Sequence, residues 1–460
     1  MQTSEPQPNS APGPYGHFLF GNLPERRADP LNLFMKCALK YGPVARIRTV
    51  PLIRTPIYLV SHPDHAQHVL QTQHSNYRKG LAVRFLKVPL GDGLLTGEGE
   101  HWKKQRRLTQ PAFHQKSLAL MAGKMVRATE EMMAGWKQRS AGSQTLDIAQ
   151  EMMRLTLRIA GETMFSVDVS QEADQVGRAV SALLVYVNRA MLSVVPLPFW
   201  VPTPANLKAR RLLQTMDQLI YRIIRERRAS PAADSDLLSL LLASKDEETG
   251  EQMADKHLRD EIITLFVAGH ETTANVLSWT LYLLSQNPKW ADLARQEAIA
   301  VLGTRSAGFE DGTRLPIIHS IVQESMRLFP PAWVIGRQAN EDDRIGGFRI
   351  EKDSVVIVSP YVLHHHPEFW TDVEQFRPER FSTEKLHRFA YIPFGSGPRV
   401  CIGSQFAMLE AQLLLATMLR EFRFDLAPGE KVTPEPLITL RPKNGLRMVV
   451  RNDIFQDQRP

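Results

Sequence analysis

Cysteine is nearly absent from this 460-residue chain, which contains only Cys37 and Cys401. Two cysteines allow one bridge at most, which excludes a disulfide framework and points to a reducing compartment. No stretch reaches the apolar length needed to span a bilayer. The best candidate, 182–201, is interrupted by Asn188, Arg189, Pro196 and Pro198. The N-terminus, MQTSEPQPNSAPGP, has neither the basic flank nor the apolar segment of a secretory leader. There is no internal repeat and no composition shift that would mark a second domain. Net charge is +7, but zinc-finger spacing and basic-region heptads are missing, so nucleic acid is not an expected partner. These absences leave a globular, cytoplasmic protein without a membrane anchor, expected to be a monomer.

Hydrophobic residues make up 43% of the chain and charged residues 23%, an ordinary globular balance with ample material for a core. Residues 1–14 are polar and Pro-rich and read as a flexible tail, with 15–455 as a single domain. Strand-like runs occur at 44–48 and 57–60. Helical periodicity dominates 63–327, with breaks at Gly91-Asp92-Gly93, at the Pro-rich 196–204 and at Ser230-Pro231. From 330 onward, short strands and loops surround one more helical run. The expected fold class is mainly α with small β-sheets. Cys37 lies in the amphipathic run LNLFMKCALKYG and reads as packing.

Cys401 sits in FGSGPRVCIG (394–403), just ahead of that last helical run. A cysteine at a helix mouth faces the positive end of the dipole, which favours the thiolate. The glycines let the backbone approach something flat, and Arg399 can hold a negative group. The ordinary alternative is a structural cysteine beside a Gly-rich turn. The spacing Phe-x-x-Gly-x-Arg-x-Cys-x-Gly arises by chance in roughly one chain in ten thousand at average composition.

Three further constellations stand out. The helical run 260–284 contains Ala268-Gly269-His270-Glu271-Thr272-Thr273. Glycine costs about 1 kcal/mol against alanine inside a helix, and such a polar cluster invites a local opening of the hydrogen-bond ladder. A helix with a satisfied polar face is the alternative. At 321–329, IVQESMRLF is apolar almost all round, so Glu324 and Arg327, one turn apart, both need partners; Arg380 in FRPERF is available. Trp102 and Arg106 also stand one turn apart, among Lys103, Lys104 and Arg107. By contrast, His364-His365-His366 is not expected to bind metal, because consecutive histidines do not converge on one ion.

Together these segments resemble the cytochrome P450 family of haem-thiolate monooxygenases, over roughly 12–450 and in the soluble bacterial form without a fused reductase. The resemblance implies a fold in which haem lies between a long distal helix and the cysteine-loop helix. It implies haem b with Cys401 as proximal iron ligand, Phe394 over the thiolate and Gly403 beside it. Trp102, Arg106, Arg337 and Arg399 would reach the propionates. Ala268 and Gly269 would make room for O2, and Glu271 and Thr272 would relay protons. His270, between them, is expected to point away. Glu324, Arg327 and Arg380 would hold the cysteine loop rather than perform chemistry.

By the same resemblance, substrate contacts fall at 83–95, 192–202, 266–267, 332–335 and 437–439. Phe85, Leu86, Phe199, Trp200, Phe266, Val267, Trp333, Val334 and Ile438 form their apolar lining, which suits a fatty acid, terpenoid or steroid-like substrate. Arg84 and Lys87 are candidates to hold a carboxylate. The expected activity is hydroxylation or epoxidation with O2, using electrons from a ferredoxin or flavodoxin and its reductase. That partner would be steered onto Lys103, Lys104 and Arg107. A peroxide-driven peroxygenase on the same fold, and a non-enzymatic haem sensor or carrier, are the alternatives. Neither needs the acid–alcohol pair that this chain keeps.

Overall fold

A computed structural model describes residues 10–50, 55–80, 82–139, 143–167, 173–194, 197–229, 236–243 and 253–452. Helix Asp255–Gln286 runs through the largest core, and most of its side chains are buried. Its most extensive partner is helix Ile148–Met164. That helix is capped by Asp147, whose Oδ1 accepts from the backbone N–H of Gln150 at 3.3 Å. Three contacts draw the two helices together. Thr156 Oγ1 donates to the His270 carbonyl at 2.9 Å, and Phe165 stacks on Phe266 with centroids 4.6 Å apart. A Cβ at Gly269 would lie 3.3 Å from Met164 Cε, closer than most side-chain contacts, so glycine permits the approach.

The long helix is uninterrupted, which corrects the expected opening at Gly269. Thr272 Oγ1 donates to the Ala268 carbonyl at 2.8 Å and Thr273 Oγ1 to the Gly269 carbonyl at 3.2 Å. The hydroxyls are thus satisfied within the helix, and the ladder need not open. The turn with π geometry lies instead at His68–Thr72.

Helix Ser404–Glu421, which follows Cys401, packs on helices Gln115–Arg139, Pro288–Leu302 and Pro316–Leu328. Its side chains from Leu409 to Leu419 are buried without a break, as expected of a helix enclosed on every side.

Beside the helices lies a five-stranded sheet in the order Val44–Ile47, Ile57–Val60, Val355–Val358, Ile335–Ala339, Tyr77–Lys79. Only the pairing of Ile57–Val60 with Val355–Val358 is parallel. At the edge, the register sets Lys79 opposite Arg337. A second sheet joins Ser143–Asp147, Arg447–Asn452 and Phe422–Leu426. The hairpin Pro434–Pro436/Leu440–Pro442 turns at 437–439 and packs against the long helix. Cys37 is fully buried in a smaller core with Phe34, Leu59 and Trp333, and burial pushes its thiol up to about 11.

Residues 1–9 of the expected tail lie outside the described residues, as do Pro196 and the break at Ser230-Pro231, while 197–203 lead non-helically into helix Pro204–Ala229. The tail boundary at 14 is corrected: Ala11 is buried, and the Pro12 carbonyl accepts from the Arg46 N–H at 2.7 Å. Backbone pairing with the first strand orders this segment despite its polar, Pro-rich composition. Among the described residues, no helix is long and apolar enough to cross a membrane.

Candidate active site

The cysteine loop is held by its backbone. The Cys401 N–H donates to the Phe394 carbonyl at 2.9 Å, and Arg106 Nη1 donates to the Val400 carbonyl at 2.8 Å. Gly397 has φ +71°, and a Cβ there would lie 1.8 Å from the Leu70 carbonyl oxygen. Only glycine lets the loop sit against the His68–Thr72 turn. The Cys401 thiol is accessible but densely walled by protein, and that burial raises its pKa. The Gly403 N–H and the Arg106 guanidinium pull in the opposite direction. Cys401 stops short of helix Ser404–Glu421, whose N-cap is Gly403, so the helix dipole acts on it only from a distance. A bound metal cation would reverse the balance, because coordination deprotonates a thiol outright.

Next to the loop, cations crowd around one carboxylate. Arg399 donates to Glu98 at 2.8 Å and to the Gly97 carbonyl at 2.9 Å, and its guanidinium lies 4.0 Å from the centre of the Trp102 ring. Lys79 and Arg337, brought together by strand register, face the same Arg399 and Glu98. Burial and the neighbouring Arg399 push Lys79 down to about 7 and Arg337 to about 10. Three buried or half-buried cations thus share Glu98, and each disfavours the others' charge. Lys79 and Glu98 were not foreseen from the sequence. Lys79 ends a short strand with no motif around it, and only the sheet register reveals its place.

Glu324, Arg327 and Arg380 are fully buried. Glu324 accepts from Arg327 Nε and Nη2, both at 2.8 Å, from Arg380 Nε at 3.1 Å and from the Arg377 N–H at 2.9 Å. Arg327 also donates to the carbonyls of His364, Val373 and Gln375. The histidine tract scatters. His364 Nε2 accepts from the Ile392 N–H at 3.0 Å, His365 Nδ1 meets the Tyr361 carbonyl, and His366 Nδ1 accepts from the Glu368 N–H. His364 therefore carries the ion network to the start of the cysteine loop, a link that motif spacing does not show. Among the described residues, no His/Cys/Asp/Glu cluster could hold a metal ion by itself.

On the long helix, Val267, Ala268, Gly269 and Thr272 are partly accessible while the flanking turns are buried. Ala268 and Thr272, a turn apart, share this open stripe. Gly269 lies on the same accessible turn, and a Cβ there would meet Met164 and Ala160. His270 is fully buried, with Nδ1 2.6 Å from the Phe266 carbonyl, and burial holds it down to about 4. Glu271 is buried, with Oε1 accepting from Thr439 Oγ1 at 2.6 Å and, among the described residues, no partner at Oε2. Burial raises its pKa, against opposing effects from the Thr439 bond and Arg441.

The cytochrome P450 family model matches residues 11–448. The chain belongs to the cytochrome P450 family. It is 35% identical over 421 residues to cyclooctatin synthase of Streptomyces melanosporofaciens, covering 90% of each chain. It is 32% identical to cyclooctat-9-en-7-ol 5-monooxygenase of the same organism, over 86% of this chain and 85% of that one. It is also 34% identical to cytochrome P450 132 of Mycobacterium tuberculosis, over 85% and 87% of the two chains. The protein is a mainly helical haem monooxygenase with small sheets.

The residues present fit the haem of this cytochrome P450. Haem carries two carboxylates, and the excess of cations over Glu98 is what would receive them. The accessible thiol of Cys401 suits an iron ion.

The residues expected to form the apolar lining differ in their surroundings. Phe85, Leu86, Phe199, Val267, Val334 and Ile438 are partly buried. Three others are placed otherwise. Trp200 is 75% exposed and faces solvent. Phe266 is consumed by its stack on Phe165, and Trp333 is buried beside Phe34, with its indole N–H donating to the Leu437 carbonyl at 2.9 Å. Of the carboxylate candidates, Arg84 is exposed and Lys87 already pairs with Asp92 at 2.8 Å.

Proposed function

We propose that this cytochrome P450 binds haem b through Cys401 and oxidises a terpenoid-like hydrophobic substrate with electrons from a separate ferredoxin or flavodoxin system. The observation that carries this reading is the accessible Cys401 thiol beside a group of cations that outnumbers its carboxylate. Thiolate-ligated haem supplies cleavage of the O–O bond, so that one oxygen atom enters the substrate and the other leaves as water.

The chain's own residues orient and protonate. Arg106 fixes the loop at Val400, while Arg399, Arg337 and Lys79 would hold the cofactor's carboxylates, with Trp102 stacked under Arg399. Phe394 and Gly403 flank the ligand as the resemblance implies, and Phe394 also anchors it through its carbonyl. Ala268 and Thr272 face the reacting side. Glu271 holds the proton at Oε2 and Thr272 Oγ1 passes protons along, as general acids acting through water. The Glu324–Arg327–Arg380 network keeps the cysteine loop in place through His364. The terpenoid-like class rests on the two Streptomyces relatives, one named for acting on cyclooctat-9-en-7-ol. The scarcity of cysteine suits the reducing cytoplasm.

The test is a panel of terpenoids, steroids and fatty acids assayed by spectral titration, then by product formation with a ferredoxin–reductase pair or with hydrogen peroxide alone. Reductase-driven oxidation of a terpenoid is the expected result. Turnover with peroxide only would make the protein a peroxygenase. A reduced carbon monoxide complex without the thiolate red shift would remove Cys401 as ligand.

A further inference from the structure

The turn at 437–439, which the family resemblance places among the substrate contacts, is pinned firmly. Two indoles hold its ends, Trp333 donating to the Leu437 carbonyl at 2.9 Å and Trp279 to the Leu440 carbonyl at 3.0 Å. The Leu440 N–H donates to the Pro331 carbonyl at 3.0 Å, and the Leu437 N–H to the Thr439 carbonyl at 3.1 Å. This rigidity aims the Thr439 hydroxyl at the long helix. Glu271 and Asn275, one turn apart, both reach it.

The bonds run in one direction. Asn275 Nδ2 donates to Thr439 Oγ1 at 3.2 Å, and Thr439 Oγ1 donates to Glu271 Oε1 at 2.6 Å. The amide hydrogen occupies the hydroxyl oxygen, so the hydroxyl hydrogen points to the carboxyl. With Oε1 serving as acceptor, a neutral Glu271 carries its proton on Oε2, the oxygen with no partner in the structure. Burial, which favours the neutral form, supports the arrangement.

We infer that Thr439, oriented by Asn275, is a positioning residue that fixes Glu271 with its proton on the free Oε2, tying the acid to the wall of the substrate pocket. This rests on the monooxygenase reading above. Ile438 is partly buried in the same turn, so a substrate seated against it would bear on Thr439. A substrate that leaves the turn in place keeps the acid aimed. One that shifts it lets the carboxyl swing, and electrons are then lost to peroxide rather than product.

The experiment compares Thr439→Val, which keeps the shape and removes the hydroxyl, with Thr439→Ser, which keeps the hydroxyl. Infrared spectra of the haem-loaded protein, without turnover, identify the Glu271 carboxylic-acid band by its loss in Glu271→Gln. In Thr439→Val that band moves to higher frequency, because the carbonyl oxygen loses a donor, and Thr439→Ser restores it. With reductase and substrate, Thr439→Val yields roughly tenfold less product per electron pair, with matching peroxide, and has no further effect in the Glu271→Gln background. A band that is absent or unmoved, or an equal loss in the Glu271→Gln background, overturns the assignment. Unaltered protein that makes no product with reductase counts instead against the monooxygenase reading, which the infrared measurement does not touch.

Discussion

Glu324, on helix Pro316–Leu328, and Glu271, on the long helix, are both shut away from solvent. Glu324 is surrounded by two guanidiniums and a backbone N–H, and its charge is fully met. Glu271 has one hydroxyl and a bare oxygen. Two arginines compensate the buried Glu324 carboxylate, whereas at Glu271 burial with a single hydroxyl donor raises the pKa and favours the neutral form. The same side chain thus stands in one place as a compensated charge and in the other as a carboxyl with an open oxygen, which suits the proposed structural and proton-holding roles.

Removing a partner from each site sharpens the contrast. Arg327→Ala leaves Glu324 with one guanidinium and strands three carbonyls, a loss of about 3–5 kcal/mol. The expected outcome is protein that fails to load haem, measured by haem-to-protein ratio and thermal unfolding; full loading would refute the structural role. Glu271→Gln should leave loading and the carbon monoxide spectrum intact while lowering reductase-driven product formation by ~10²-fold or more. Equal damage to folding would erase the distinction between the two carboxyls.

A smaller effect is expected at the cation cluster. If Lys79 holds a haem carboxylate, Lys79→Met removes one charge-assisted contact, worth about 1.5–3 kcal/mol, and should speed haem transfer to a scavenging protein. If haem is retained as firmly as before, Lys79 is not part of the seat.

A third buried acid tests the pH side of the comparison. Burial pushes Glu261 up to about 7, against the Leu94 N–H that donates to its Oε2 at 3.1 Å, with Asp260 and Asp92 raising it further and Lys79 opposing. Its folded pKa lies above the unfolded value, so the native state binds the extra proton. Its contribution is full below the ordinary carboxyl range and falls away as pH rises to about 7. Glu261→Gln should flatten that slope in chemical denaturation at a series of pH values, and an unchanged slope would assign it elsewhere.

The smallest effect is predicted at the surface. Lys103 pairs with Glu100 at 2.6 Å in full exposure, so Lys103→Glu should change stability by less than about 0.5 kcal/mol. If the basic helix receives the electron donor, the same change slows reduction more at low salt than at high salt.

Much of the proximal side was legible in the sequence. FGSGPRVCIG, the Glu324/Arg327 spacing and FRPERF are short motifs whose residues meet through local turns or one helix face. The residues missed, Lys79, Glu98, Asn275 and the Thr439 hydroxyl, come together only through strand register and helix–hairpin packing. The pocket aromatics misled for a related reason. Phe266, Trp333 and Trp200 are equally apolar in sequence, yet one stacks in the core, one pins a turn and one faces water.

The amino-acid sequence by itself determined the family, the cysteine loop that resembles a haem seat and the adjacency of Glu271 and Thr272, because each is written in contiguous residues or helical spacing. Only the tertiary structure decided that Gly269 faces a neighbouring helix, that Lys79 joins Arg337 and Arg399, and that Glu271 leans on Thr439 from a distant hairpin. The physical reason is common to all three. A side chain's chemistry depends on which groups desolvate it and which donors reach it, and chain segments far apart in sequence supply both.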